Sequence, residues 1–258
     1  MIPRAYITSW SARVRWPSEN QIEQDLVLSR LIVEIASDPY LQEELVFRGG
    51  SCLHKLHLDS AFRYSEDLDY VRRSEGGIAQ LTKAVTGVGE RVGMEVQTRI
   101  GRHPKIHLRA PFESGTGSMR IKVEVNTFER SPARDLVRLP FSVDSPWFSG
   151  GVEVLTYAAP ELVASKLRAL HQRSKGRDLF DLWLALTHLG VSSAELIECF
   201  APYRPGHYTA KIAELSLRHK LADPGFRQDL DQLVSAWPDG YDIDAAAELL
   251  IADVFPLL

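Results

Sequence analysis

Between Met94 and Phe141 the chain alternates apolar and polar residues in four stretches, Met94 to Ile100, Lys105 to Ala110, Met119 to Asn126 and Leu136 to Phe141. Turn-forming runs such as Gly101-Arg102-His103-Pro104 and Glu113-Ser114-Gly115-Thr116-Gly117-Ser118 separate them. A period of two sends successive side chains to opposite faces of a strand, so this block reads as half-buried hairpins of one sheet. Two further strands are expected before it. Leu45-Val46-Phe47-Arg48 is a short apolar run that ends in Gly49-Gly50, and Glu66 to Val71 alternates apolar with acidic residues.

Helical periodicity surrounds these strands. Pro17-Ser18 opens a run in which Ile22, Leu26, Leu28, Leu31, Ile32 and Ile35 recur at three- and four-residue spacings until Asp38-Pro39. That spacing predicts a surface helix with one buried face. Ser51 is placed to cap a short helix containing Leu53 and Leu56, and Ile78 to Val92 is a longer amphipathic segment. Pro146-Trp147-Phe148-Ser149-Gly150-Gly151 reads as a linker, followed by one strand, Val152 to Tyr157, and then by helices to the C-terminus. The expected class is α+β, with a mixed-sheet domain over 1–157, including its N-terminal helix, and a helical domain over 158–258.

Composition narrows the chemistry. A formal charge of -4 excludes a polycation, so any contact with nucleic acid has to come from a local basic patch. Only Cys52 and Cys199 are present, which argues against a disulfide framework and a four-ligand zinc site and fits a reducing cytosol. No run of about 18 apolar residues and no basic-then-apolar leader is found, so neither membrane insertion nor secretion is expected. Gly-x-x-x-x-Gly-Lys-Ser/Thr, Gly-x-Ser-x-Gly and His-Glu-x-x-His are absent, and Gly87-Val88-Gly89 falls inside a helical pattern rather than between a strand and a helix. His54 and His57 share a helix face without a third ligand and read as packing or surface residues.

Three groups of residues and two basic stretches remain as candidates for chemistry. Asp67 and Asp69, two apart on a strand, point the same way; such a pair is tolerable if a hard divalent cation sits between the carboxylates, and otherwise marks a solvated edge. The Gly49-Gly50-Ser51 turn offers bare amides to a phosphate. Glu124 shares a strand face with Lys122 and Asn126 and could supply a third carboxylate to a two-metal site. In the helical half Lys166 interrupts the apolar stripe of Leu162, Val163, Leu167 and Leu170, so it either snorkels outward or meets an anionic ligand. Asp178 and Asp181 lie on a neighbouring face of the next helix, where Asp178 also suits a helix N-terminus. Arg99, Arg102, Lys105 and Arg109, with His103 and His107, form one basic stretch, and Arg168, Arg173, Lys175 and Arg177 form another. Each is either a solvated face or a set of phosphate contacts.

Four runs taken in order carry a resemblance: Phe47-Arg48-Gly49-Gly50-Ser51-Cys52-Leu53-His54-Lys55-Leu56, Arg63-Tyr64-Ser65-Glu66-Asp67-Leu68-Asp69-Tyr70, Lys166-Leu167-Arg168-Ala169-Leu170, and Gly176-Arg177-Asp178-Leu179-Phe180-Asp181-Leu182-Trp183. Together they resemble the AbiEii/AbiGii (MenT-like) toxin nucleotidyltransferases over most of residues 20–190. The resemblance implies a polymerase-β-like nucleotidyltransferase core followed by an all-helical region. It implies transfer of an NMP from an NTP, with Mg²⁺ or Mn²⁺, to the 3′ end of tRNA, blocking translation, and an antitoxin encoded by a neighbouring gene. Carried over by position, it makes Gly49, Gly50, Ser51 and Ser65 nucleotide-binding residues. Asp67, Asp69 and Glu124 become metal-binding, Lys166 meets the triphosphate and Asp178 supports the site. Nucleotidylation of a protein hydroxyl, or a non-catalytic RNA- or nucleotide-binding module, would use the same residues differently.

Overall fold

In the computed structural model, which describes residues 2–258, the alternating stretches become strands β1 (Leu45–Arg48), β2 (Asp67–Arg72), β3 (Glu95–Ile100), β4 (Pro104–Pro111), β5 (Ser118–Asn126), β6 (Val137–Asp144) and β7 (Ser149–Thr156). They form one seven-stranded sheet in the order β3-β4-β5-β2-β1-β7-β6. β2 runs parallel to β5 and β1 parallel to β7, whereas the other neighbours are antiparallel, so the sheet is mixed and the class is α+β. On β5 the residues of one parity, Met119, Ile121, Val123 and Val125, are buried together with Ile106 and Leu108 of β4. The other parity stays open and carries Arg120, Lys122 and Glu124.

The helices of this part are α1 (Arg4–Trp10), α2 (Glu19–Ser37), α3 (Leu41–Glu44), α4 (Gly49–Cys52), which continues as a π-helical turn over Leu53–His57, and α5 (Ala79–Arg91). Of these, α2 packs on β5, β6 and β7, and α5 on β3 and β4. Gly89 lets α5 approach the sheet: a Cβ there would lie 2.6 Å from Leu108 Cδ2 and 2.9 Å from Val96 Cγ2. That glycine therefore serves packing.

Three expectations need correction. α2 starts as expected, with Ser18 and Gln21 forming a reciprocal capping box, but it is not a surface helix with a single buried face. Glu23, Gln24, Asp25 and Ser29 are buried as well as its apolar residues. Asp25 tolerates this because Trp10 Nε1 donates to one oxygen (3.0 Å) and Lys55 Nζ to the other (2.9 Å). The first of these donors comes from α1, a helix with no strong periodic signal, which sequence reasoning missed. Ser51 does not cap a helix, since α4 already begins at Gly49. The Pro146–Gly151 stretch is no linker: Ser149, Gly150 and Gly151 belong to β7, and Ser145 Oγ accepts from the Trp147 and Phe148 amides to close the β6–β7 hairpin.

The chain divides into two compact units. The first runs to Ser131 and adds Leu136–Thr156; the second is Pro132–Asp135 with Tyr157–Leu258. The second unit contains α6 (Ala159–Gln172), α7 (Gly176–Thr187), α8 (Ser193–Phe200), α9 (Ala210–Leu221), α10 (Pro224–Arg227) and α11 (Ile243–Leu249). α6 is its hub, packing on α7, α8 and α9. Buried Glu161 at the start of α6 accepts from the Ala133 and Arg134 amides (2.7 and 3.0 Å) and from Tyr203 Oη (2.6 Å), which is why the short 132–135 segment belongs to this unit. Phe180, Trp183, Trp237 and Tyr241 stack into an aromatic cluster beside α7.

One buried base makes folding pH-dependent. His57, at the end of the π-helical turn, has Nε2 out of solvent with no hydrogen-bond partner, and burial pushes its imidazole down to about 4 from 6.5. The unfolded chain takes up a proton near pH 6.5 where the folded chain does not. Stability from this group is therefore complete above pH 6.5 and falls as the pH drops towards 4, by at most about 3 kcal/mol. Urea melts at pH 7 and pH 4.5 should show this loss in the wild type and a smaller one in His57→Leu; identical losses would clear His57 of the effect.

Candidate active site

The site in the first unit starts at the end of β1. Gly49 has φ +84°, a left-handed conformation that favours glycine, and a Cβ at this position would lie 2.5 Å from Asp69 Oδ2. A Cβ on Gly50 would come within 2.4 Å of Arg63 Nη2 and 3.2 Å of Ser65 Oγ. Gly49 is thus favoured by its left-handed backbone as well as by close approach, and at Gly50 a side chain would have to displace the Arg63 guanidinium. Ser51 Oγ donates to the carbonyl of Asp67 (2.5 Å) and lies 2.9 Å from Ser65 Oγ, so the turn is tied to the start of β2. Arg63 is buried, and its Nη1 donates to the Tyr64 carbonyl (3.1 Å).

The parallel pairing of β2 with β5 sets Asp67 opposite Lys122 and Asp69 opposite Glu124. All four occupy the outer parity, whereas Leu68, Tyr70, Val123 and Val125 are buried. Lys122 Nζ bridges the row, 3.0 Å from Asp67 Oδ2 and 3.1 Å from Glu124 Oε2, and Lys105 Nζ lies 3.4 Å from Glu124 Oε1. Burial works against the Lys122 charge, but the carboxylates of Asp67 and Glu124 outweigh it and raise its pKa. Burial likewise works against the Glu124 carboxylate, and the two lysines outweigh it and lower its pKa. Lys122 is the member of this row that sequence reasoning missed; its signal was its parity with Glu124.

The donor chemistry fits a hard divalent cation at Asp67 and Asp69. Both residues occupy the outer parity of β2, with Asp69 against Gly49, and Mg²⁺ commonly takes one or two carboxylates and fills its remaining positions with water and phosphate oxygens. Glu124 is engaged by lysines, and among the described residues no group of three or more His, Cys, Asp or Glu side chains is gathered to hold a metal.

The remaining sequence candidates lie in the second unit. Lys166 on α6 is buried and pairs with Asp181 of α7 (2.8 Å). Asp178 is fully buried and accepts two bonds from Arg173, from Nε at 2.7 Å and from Nη2 at 2.8 Å. Lys175 and Arg177 pair with Asp229 (3.3 and 2.9 Å), so much of the second basic stretch is neutralised within its own unit.

Among the described residues no helix is long and apolar enough to cross a membrane. No curated protein sequence matches the chain. Several solved structures share its fold. JHP933 from Helicobacter pylori is similar with a TM-score of 0.54 and 16% identity, covering 93% of this chain and 92% of that one. MenT4, a nucleotidyltransferase toxin from Mycobacterium tuberculosis H37Rv, is similar with a TM-score of 0.51 and 19% identity, over 97% and 99%. The family model described as nucleotidyl transferase AbiEii toxin, type IV TA system, matches residues 30–249, and the chain belongs to that family.

Proposed function

We propose that this nucleotidyltransferase toxin moves an NMP from an NTP to the 3′ end of tRNA, using Mg²⁺ (or Mn²⁺) held at Asp67 and Asp69. The observation that carries the reading is the single row of Asp67, Asp69 and Glu124 on adjacent parallel strands, with Asp69 packed against Gly49. When bound, the divalent ion supplies charge stabilisation for the phosphate oxygens. Gly49 and Gly50 present backbone amides to the nucleotide, and the Ser51–Ser65 contact keeps that turn at a fixed distance from the aspartates. Held ionised by Lys105 and Lys122, Glu124 is a weak proton acceptor and acts by keeping Lys122 aimed at Asp67.

The resemblance assigns Lys166 and Asp178 to the same reaction. Both are ion-paired inside the second unit, so a substitution there has to be read on stability as well as on transfer. A toxin that acts on tRNA works in the cytoplasm, opposed by an antitoxin from a neighbouring gene.

Incubating the purified protein with total tRNA, Mg²⁺ and each labelled NTP in turn tests the proposal. Label should enter RNA, disappear with RNase and require the divalent ion. Label that survives RNase on protein would replace the RNA acceptor with a protein hydroxyl, and no transfer from any NTP would leave only a binding module.

A further inference from the structure

The outer face of β3, β4 and β5 continues the carboxylate row. Arg109 stands opposite Glu95 on one side and Arg120 on the other; His107 lies between Gln97 and Lys122, and Lys105 between Arg99 and Glu124. Because Asp67 and Asp69 are the next residues in the last two rows, cations and aspartates share one face of one sheet within the first unit.

This face departs from the rest of the chain in its charge balance. The whole protein carries a formal charge of -4, yet Arg99, Arg102, Arg109 and Arg120 take part in no ion pair among the described residues. Arg109 Nε is buried without a hydrogen-bond partner. The basic stretch of the second unit shows the opposite treatment, with Arg173, Lys175 and Arg177 matched to aspartates. The His107 imidazole is held below its ordinary range, by burial first and then by the neighbouring cations Arg99, Arg109, Lys122 and Lys105.

An aromatic platform ends the face. Phe128, just past β5, is 61% exposed, with the Arg102 guanidinium 5.6 Å from its ring centre and the His103 ring at 5.5 Å. Asn126 Oδ1 accepts from the Phe128 and Glu129 amides (2.8 and 3.0 Å), which fixes the chain beneath the ring. An exposed ring beside unpaired arginines matches the way proteins hold single-stranded nucleic acid: cations follow the phosphates and aromatics stack the bases.

We propose that the outer face of β3–β5, ending at Phe128, seats the single-stranded end of the acceptor RNA, with phosphates along Arg99, Arg109 and Arg120 and a base on Phe128. This rests on the reading of RNA as acceptor. It adds where the strand lies and which residues set its affinity. Charge alone would also suit an acidic protein, but the exposed ring next to Arg102 favours a base.

The test measures binding without NTP, so it stands apart from transfer. The full-length protein is titrated against a fluorescent single-stranded oligoribonucleotide by anisotropy at several salt concentrations. The triple variant Arg99→Gln/Arg109→Gln/Arg120→Gln should bind at least about 30-fold more weakly, and its salt slope should drop by about 2, near 0.7 for each phosphate no longer neutralised. The corresponding triple lysine variant should keep the wild-type slope. Phe128→Ala should weaken binding roughly tenfold with the slope unchanged, and Phe128→Trp should restore it.

Wild-type affinity and slope in the triple glutamine variant would overturn the proposal, as would loss of slope in the lysine variant. Polyglutamate bound as tightly as RNA, with no effect of Phe128→Ala, would make the face a seat for an acidic protein instead. If the wild type binds RNA in this way but never labels it, the transfer reading fails while this surface stands. If it labels RNA and the variants bind normally, the surface fails alone.

Discussion

Replacing Asp67 with alanine should lower NMP transfer to RNA by about 10³-fold or more while leaving the melting temperature within a few degrees of the wild type. If Asp67 and Asp69 hold the proposed divalent ion, losing one of them removes several kcal/mol of charge stabilisation, and each 1.36 kcal/mol is about tenfold in rate. Folding should barely respond. The Asp67 side chain is 37% exposed and its ion pair with Lys122, at 3.0 Å, is partly solvated, so it contributes no more than about 1 kcal/mol. Lys122→Met separates the two ways in which Asp67 could matter. It breaks the same ion pair but leaves the oxygens, so it should retain far more activity than Asp67→Ala. Equal losses in the two variants would mean that Asp67 acts only through Lys122, and an Asp67→Ala protein with more than about a tenth of wild-type turnover would remove it from the centre altogether.

The strands were legible because a half-buried strand writes its burial into every second residue. Leu68, Tyr70, Val123 and Val125 are buried, and Asp67, Asp69, Lys122 and Glu124 share the outer parity between them. What sequence could not show is the pairing partner. Nothing in β2 or β5 alone says that they are parallel neighbours, and the Asp69–Glu124 juxtaposition depends on that. The misreading of α2 has the same origin, since its buried Asp25 is satisfied by Trp10 and Lys55 from distant positions, and a local pattern treats an acid as solvated. The Pro146–Gly151 stretch was misread because a tight hairpin and a linker draw on the same turn residues; only the Ser145 contacts tell them apart. Lys166 was conspicuous by its place in an apolar stripe, but the acid that matches it sits on the next helix.

That match makes Asp181→Ala the substitution with the largest expected cost in stability. The Lys166 and Asp181 side chains are 7% and 0% exposed and meet at 2.8 Å where α6 packs on α7. Removing the carboxylate strands an ammonium in a dry site, which costs about 3–5 kcal/mol, a large share of the stability of an ordinary domain. Urea unfolding should show that loss in Asp181→Ala and a smaller one in Lys166→Met, which takes away the lysine partner of the carboxylate. The double variant Lys166→Met/Asp181→Leu should recover most of it, because a buried ion pair replaced by apolar groups of similar volume is often neutral or better. Near-wild-type stability in Asp181→Ala would mean that the lysine escapes to solvent and that the pair does not hold the helices. The recovered double variant then isolates the chemistry, because its fold no longer depends on the charge. If Lys166 also meets the triphosphate, as the family resemblance implies, that stable protein should show a raised KM for NTP; an unchanged KM would leave Lys166 a strut between two helices and nothing more.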